Sequence, residues 1–180
     1  PSWEYAESCI PYMKGALPGA IRTLYLSKAW FSCRAGAYDG WEWRSGESGA
    51  VSLTPSFVNY LCWEMNEWIG RGIWDAIYLD ECYEHPARNL EAGHSVRLPD
   101  GGEQPGVTNF AFRELMKRWR GLFHAHGRAP ILIAHHTHSW QYAGLVFCDS
   151  TLDGENSPIV SLQSRDWIDS TSKERFEGLQ

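Results

Sequence analysis

A chain of 180 residues, 43% hydrophobic and 21% charged, has the make-up of one globular domain able to bury a core, and not of a disordered segment. A net charge of −6 argues against a broad surface for nucleic acid or anionic membrane. No apolar run approaches the roughly 18 residues of a membrane span, so no membrane insertion is expected, and no signal peptide stands at the start.

The chain begins at Pro1 rather than Met and so reads as a piece of something longer. The unusual feature is aromatic content, 14% with ten Trp, more than a core alone calls for; Trp with a wet edge also stacks on flat apolar faces of ligands. Cys9, Cys33, Cys62, Cys82 and Cys148 are an odd number at wide spacings without a CxxC pair. They read as small buried thiols rather than as a zinc site or a disulfide framework.

Residues 1–50 form an opening region that is hard to assign. Pro11, Gly15, Pro18 and Gly19 break any long helix, and Ala20 to Trp30 suits a strand or a short helix. Gly36 to Gly49 is a loop rich in Gly, Ser and Trp, where Trp41 and Trp43 flank Glu42. Indoles on a loop expose apolar surface unless a ligand or the rest of the protein covers them.

From Thr54 the pattern sharpens. Pro55 suits a first helical turn, and Phe57, Leu61, Met65, Trp68 and Ile69 recur at steps of three and four until Gly70 and Gly72 stop the helix. The apolar run Ala76 to Leu79 then reads as a buried parallel strand, ending abruptly in adjacent carboxylates, Asp80 and Glu81. Acids in that position are costly unless paired or used. Residues 84–107 read as a long loop rich in Pro, Gly, Asp and His.

Thr108 or Asn109 caps a second helix, with Phe112, Leu115, Met116, Trp119 and Phe123 on one face, Arg113, Lys117, Arg118 and Arg120 on a solvated face, and Gly127 at its close. Ile131 to His138 is again an apolar run that turns polar, and Gly144 to Asp149 repeats the device. Three parallel-type strands tipped by Asp, Glu or His, two of them joined by an amphipathic helix, predict an α/β fold with its ligand site at the carboxyl ends of the strands. A complete TIM-type (β/α)8 barrel needs about 200 residues or more. The expectation is therefore a single, partial barrel domain spanning residues 1–180.

Three constellations could carry chemistry at that rim. Adjacent Asp80 and Glu81 lie too close to flank a glycosidic bond as two acids about 5 Å or more apart, but they suit another division of labour. One carboxylate orients the N-acetyl group of a substrate as internal nucleophile while the other donates the proton to the leaving oxygen. His135, His136 and His138 include types that bind zinc, although the spacing is not a recognised ligand motif; one of them, His136, is expected to face the pocket as a hydrogen-bonding group. Asp149 is expected to end a strand on the same rim, with Glu155 behind Gly154 able to swing in, although Asp153-Gly154 also suits a plain turn. Trp41, Trp43, Tyr83 and Trp140 could offer a platform for a sugar ring, or could plug the end of a barrel.

The helix, the run Gly72-Ile-Trp-Asp-Ala-Ile-Tyr-Leu-Asp-Glu81, the His- and Asn-containing loop, the Arg-rich helix, the strand ending in His and Val146-Phe-Cys-Asp149 followed by Gly154-Glu155 resemble the catalytic barrel of bacterial glycoside hydrolases similar to glycoside hydrolase family 123, over roughly residues 50 to 160. The resemblance implies a (β/α)8 barrel that acts on a β-linked N-acetylhexosamine by substrate-assisted retention, with no metal and no cofactor. By position, Asp80 would hold the acetamido group and Glu81 would be the acid/base. Its partner would be an oligosaccharide or glycan, and a role in polysaccharide degradation leans extracytoplasmic. The residues leave two alternatives open: a metal-dependent hydrolase using His135 to His138, and a non-catalytic carbohydrate-binding fragment.

Overall fold

The computed structural model describes residues 15–27, 44–45, 50–51, 53–82, 86–87, 90, 93–135 and 142–152. Its centre is a four-stranded parallel sheet made of β1 (Thr23–Ser27), β4 (Ala76–Asp80), β8 (Leu132–His135) and β9 (Ser150–Leu152), laid side by side in that order. Between them come a two-stranded ribbon of β2 (Arg44–Ser45) and β3 (Ala50–Val51), then α1 (Pro55–Gly70). After β4 follow β5 (Pro86–Ala87), β6 (Ser95–Arg97) and β7 (Glu103–Val107), then α2 (Asn109–Ala125), with α3 (Tyr142–Leu145) between β8 and β9. Strand order therefore follows chain order without a reversal.

Local chemistry sets the start of α1 and the ends of both long helices, whereas Thr108, at the N-cap of α2, makes no side-chain capping bond. Thr54 Oγ1 accepts the Phe57 N–H at 3.2 Å with Pro55 in the first turn, a cap worth about 1 kcal/mol. At the far end Gly72 takes φ +66°, its N–H bonds Ile69 O at 3.0 Å, and Ile73 N–H bonds Trp68 O at 3.1 Å. The same double closure recurs at Gly127 (φ +66°), where Gly127 and Arg128 donate to His124 O and Phe123 O, each at 2.9 Å. Only glycine adopts that left-handed turn without cost, so each helix stops at its glycine.

The helices pack in sequence, α1 on α2 and α2 on α3, which puts them on one side of the sheet. Leu24, Ile77 and Leu132 form one row of the sheet in register, and Leu26, Leu79 and Ala134 the next. Both rows meet Phe57, Leu61, Met65, Phe112, Leu115, Met116 and Trp119 in a single core. Each large side chain buried there contributes about 2 kcal/mol of apolar transfer. Alternation sends Tyr25, Tyr78 and Ile133 to the opposite face, where Tyr25 remains 60% exposed. No helix among the described residues is long and apolar enough to cross a membrane.

Two expectations are corrected. Gly144 to Asp149 is not a strand: α3 occupies Tyr142–Leu145, Phe147 and Cys148 fold back in turns onto Gly144 O and Leu145 O, and β9 begins only at Ser150. A short apolar run has no period by which to tell a strand from a helical turn, and here Leu145 is buried with the helices. Residues 84–107 are also more than a loop, because β5, β7 and β6 pair there as an antiparallel sheet. Its tight turn is Pro99-Asp100-Gly101, with Gly101 N–H on Leu98 O at 3.0 Å and Gly101 at φ +85°.

Candidate active site

The strand-end acids stand on the sheet face turned away from the helices. Asp80 closes β4 two residues beyond Tyr78, and His135 closes β8 two residues beyond Ile133, so both point to that face. His135 Nδ1 meets Asp80 Oδ1 at 2.6 Å. From β1, Tyr25 stacks on Tyr78 with ring centroids 5.4 Å apart, and its hydroxyl donates to Asp80 Oδ2. Tyr78 stacks in turn near His135 at 6.1 Å, so three neighbouring strands supply one row of rings leading to one carboxylate.

Glu81 turns the chain out of the sheet. Its φ of +57° is the left-handed region, which costs a residue with a Cβ roughly 1–2 kcal/mol. The turn lets Glu81 N–H donate to Asp80 Oδ1 at 2.7 Å and Cys82 N–H reach His135 O at 2.7 Å. Strain at a strand end beside a hydrogen-bonded carboxylate and imidazole is characteristic of sites where geometry serves chemistry.

The electrostatics follow from these contacts. Burial pushes the Asp80 carboxyl up, but hydrogen bonds from Tyr25, His135 and the Glu81 N–H outweigh it and hold the group below its ordinary range. Donation to Asp80 pushes the Tyr25 phenol up to about 12, with burial and then the negative charges of Asp80 and Glu81 adding to the effect. Asp80 is therefore an anion, and Tyr25 keeps its proton on the bond between them at neutral pH.

Of the residues expected at this rim, Asp80 and Glu81 are neighbours at the end of β4, and Asp149 is elsewhere. Asp149 precedes β9, its Oδ2 accepts the Leu132 N–H at 2.9 Å where β8 begins, and its Oδ1 pairs with Arg120 at 2.8 Å. It lies at the amino ends of the strands, roughly three residues or ~10 Å along the sheet from the Asp80 end, and ties α2 to the sheet. Arg120 is thus not simply part of a solvated face. His136, Trp41, Trp43, Tyr83, Trp140 and Glu155 lie outside the described residues.

Tyr25 was not singled out from the sequence, and His135 was named only within the His135 to His138 cluster, with His136 as the member expected to face the pocket. Which of those imidazoles shares a face with Tyr78 and Asp80 depends on the register of β8 on β4, and Tyr25 gave no signal because the strand around it was unassigned.

A cavity of about 440 Å³ opens at the other end of the sheet, between Leu17, Ile21, Arg22, Trp74 and Asp75. Arg22 clasps Asp75 there through Nε and Nη2 at 2.7 and 2.9 Å, while its buried Nη1 has no partner among the described residues; neither strand-end acid lines this cavity, so it is not the candidate site. Among the described residues no three His, Cys, Asp or Glu side chains gather as a metal ion needs, and the imidazole Nδ1 of His135 is already committed to Asp80.

No family model, no curated protein and no solved structure matches the chain.

Proposed function

We propose that this chain is a segment of a (β/α)8-barrel glycoside hydrolase acting on a β-linked N-acetylhexosamine, with its chemistry at Asp80 and Glu81. The observation that carries the reading is the Asp80 carboxylate, held ionised by Tyr25 and His135 at the carboxyl end of an inner strand, with strained Glu81 immediately after it. Among the described residues, strands in chain order with the helices on one side support the barrel, because a doubly wound sheet reverses its order and carries helices on both faces.

In this mechanism the substrate's acetamido N–H donates to Asp80, which turns the acetamido carbonyl oxygen toward the anomeric carbon. Glu81 gives its proton to the glycosidic oxygen as the bond from that oxygen to the anomeric carbon breaks and the bond from the carbonyl oxygen forms. The Asp80 anion offsets the positive charge that develops on the resulting ring. Glu81, now a carboxylate, removes a proton from the water that attacks the anomeric carbon and reopens the ring, so configuration is retained.

The test is hydrolysis of aryl β-N-acetylhexosaminides by the wild type and Glu81→Gln. Loss of a general acid lowers the rate about 10²–10⁴-fold, with partial recovery by azide or formate when the leaving group is activated. An unaffected Glu81→Gln enzyme sinks the assignment. Glycan binding that survives substitution of both Asp80 and Glu81, with no turnover of any sugar, selects the non-catalytic carbohydrate-binding reading instead.

A further inference from the structure

The Asp80 carboxylate offers about four acceptor sites, two on each oxygen. Oδ1 is filled on both by His135 Nδ1 at 2.6 Å and the Glu81 N–H at 2.7 Å. Oδ2 takes the Tyr25 hydroxyl, leaving one lone pair. Tyr25 has its only proton on Asp80, so its oxygen faces the open side of the sheet as an acceptor. The carboxylate side chain is 21% exposed and the His135 side chain 9%, so a ligand reaches the acid and not the imidazole's bond to it.

We propose that Tyr25 and His135 are positioning residues that lock the rotation of the Asp80 carboxylate and leave a paired acceptor, Asp80 Oδ2 beside Tyr25 Oη, selective for a substrate group that brings an N–H or O–H donor. This rests on the glycosidase reading and refines it. A 2-substituent that can only accept finds two lone pairs and no proton, whereas an acetamido N–H finds an anion already aimed.

The groups facing Asp80 are Tyr25 from β1, Glu81 just beyond the end of β4 and His135 from β8. Removal of a donor leaves burial, which raises the carboxyl, less opposed. The midpoint at which Asp80 gains a proton therefore moves up in Tyr25→Phe and in His135→Leu. His135→Asn, whose amide N–H can stand where Nδ1 stood, brings it back toward the wild-type value.

The experiment has two arms on the same full chain. In the first, the ¹³C carboxyl signal of Asp80, assigned by its loss in Asp80→Asn, is titrated in the wild type, Tyr25→Phe, His135→Leu and His135→Asn. The expected result is a midpoint raised in the first two variants and restored in the third. A midpoint that neither Tyr25→Phe nor His135→Leu moves overturns the proposal, whether or not the protein cleaves a sugar.

In the second arm, kcat and KM on aryl N-acetylhexosaminides are measured against pH. His135→Leu lowers kcat about 10²-fold, as a group misplaced by about 1 Å does, and moves the acid limb of kcat/KM to higher pH, with partial rescue in His135→Asn. A uniform loss with an unmoved acid limb in a folded His135→Leu protein overturns the positioning role. If the carboxyl midpoints shift as expected while the wild type turns over no sugar, the clamp on Asp80 stands and it is the glycosidase reading that falls.

Discussion

Glu81 is the one described residue with a side chain that holds a positive φ, at +57°, and that conformation is what carries the backbone from Asp80 into the bond between Cys82 N–H and His135 O. Glycine occupies it without the steric cost that a Cβ brings. Glu81→Gly is therefore expected to be more stable than Glu81→Ala by about 1 kcal/mol, read as a shift of the urea midpoint at constant slope; equal midpoints would mean that the backbone there carries no strain. On the reading proposed above neither variant retains glycosidase activity, so stability and activity separate at this position. The pair Asp80-Glu81 was legible in the sequence because two acids at the end of an apolar run have few bland explanations. Its partners were not. In the run Ala134-His-His-Thr-His, any one of three imidazoles could face the acid until the register of β8 on β4 decides that His135 does.

The sequence disguised two arrangements of elements, one close approach and one small sheet. Gly144 in α3 lies against the ring of Phe112 in α2, where a Cβ would run into the ring edge. Gly144→Ala is expected to cost about 1–3 kcal/mol by overpacking, and the cost should shrink in a Phe112→Leu background, a coupling that a double-mutant cycle measures from four unfolding curves. Additive free energies would show that the two sites do not touch. This contact, with Leu145 in the core, is what curls Gly144 to Asp149 into a turn of helix and delivers Asp149 to the start of β8. The small sheet after β4 was hidden for a different reason. Pro99-Asp100-Gly101 was a readable turn signal, but β5, β6 and β7 are short and carry no long apolar alternation to mark them as strands.

Across the whole molecule the two ends of the sheet do different work. At the amino end Asp75, just before β4, receives Arg22 from the start of β1 at 2.7 and 2.9 Å and Arg128 from the approach to β8 at 2.6 Å, so one carboxylate joins three strands. Burial pushes Asp75 up, but hydrogen bonds and charge from Arg22, with the charge of Arg128, hold it below the ordinary aspartate range. Because the folded value lies below the unfolded one of about 3.9, the unfolded chain takes up protons first on acidification. The stabilisation is complete above that pH and drains away as pH falls through the lower folded value. The melting temperature is thus expected to fall below about pH 4, and to fall less steeply in Asp75→Asn. That variant is itself destabilised at neutral pH by about 3 kcal/mol, since Arg22, only 12% exposed, is left as a nearly buried charge without its partner. A pH profile of the same slope in both proteins would remove Asp75 from this role. At the carboxyl end the corresponding acid, Asp80, is held by a phenol and an imidazole instead of guanidiniums.

The sequence by itself determined what depends on neighbours along the chain. The start of α1 follows from Thr54 and the ends of α1 and α2 from Gly72 and Gly127, with the spacing of apolar residues between, and β4 was read from an apolar run closed by acids, a pattern that pointed to a strand there but not at Gly144 to Asp149. Only the tertiary structure decided which phenol and which imidazole meet Asp80, and that Asp149 belongs to the opposite rim. A side chain's face depends on where its strand starts and how it registers on the strand beside it, and those are set by helices packing tens of residues away.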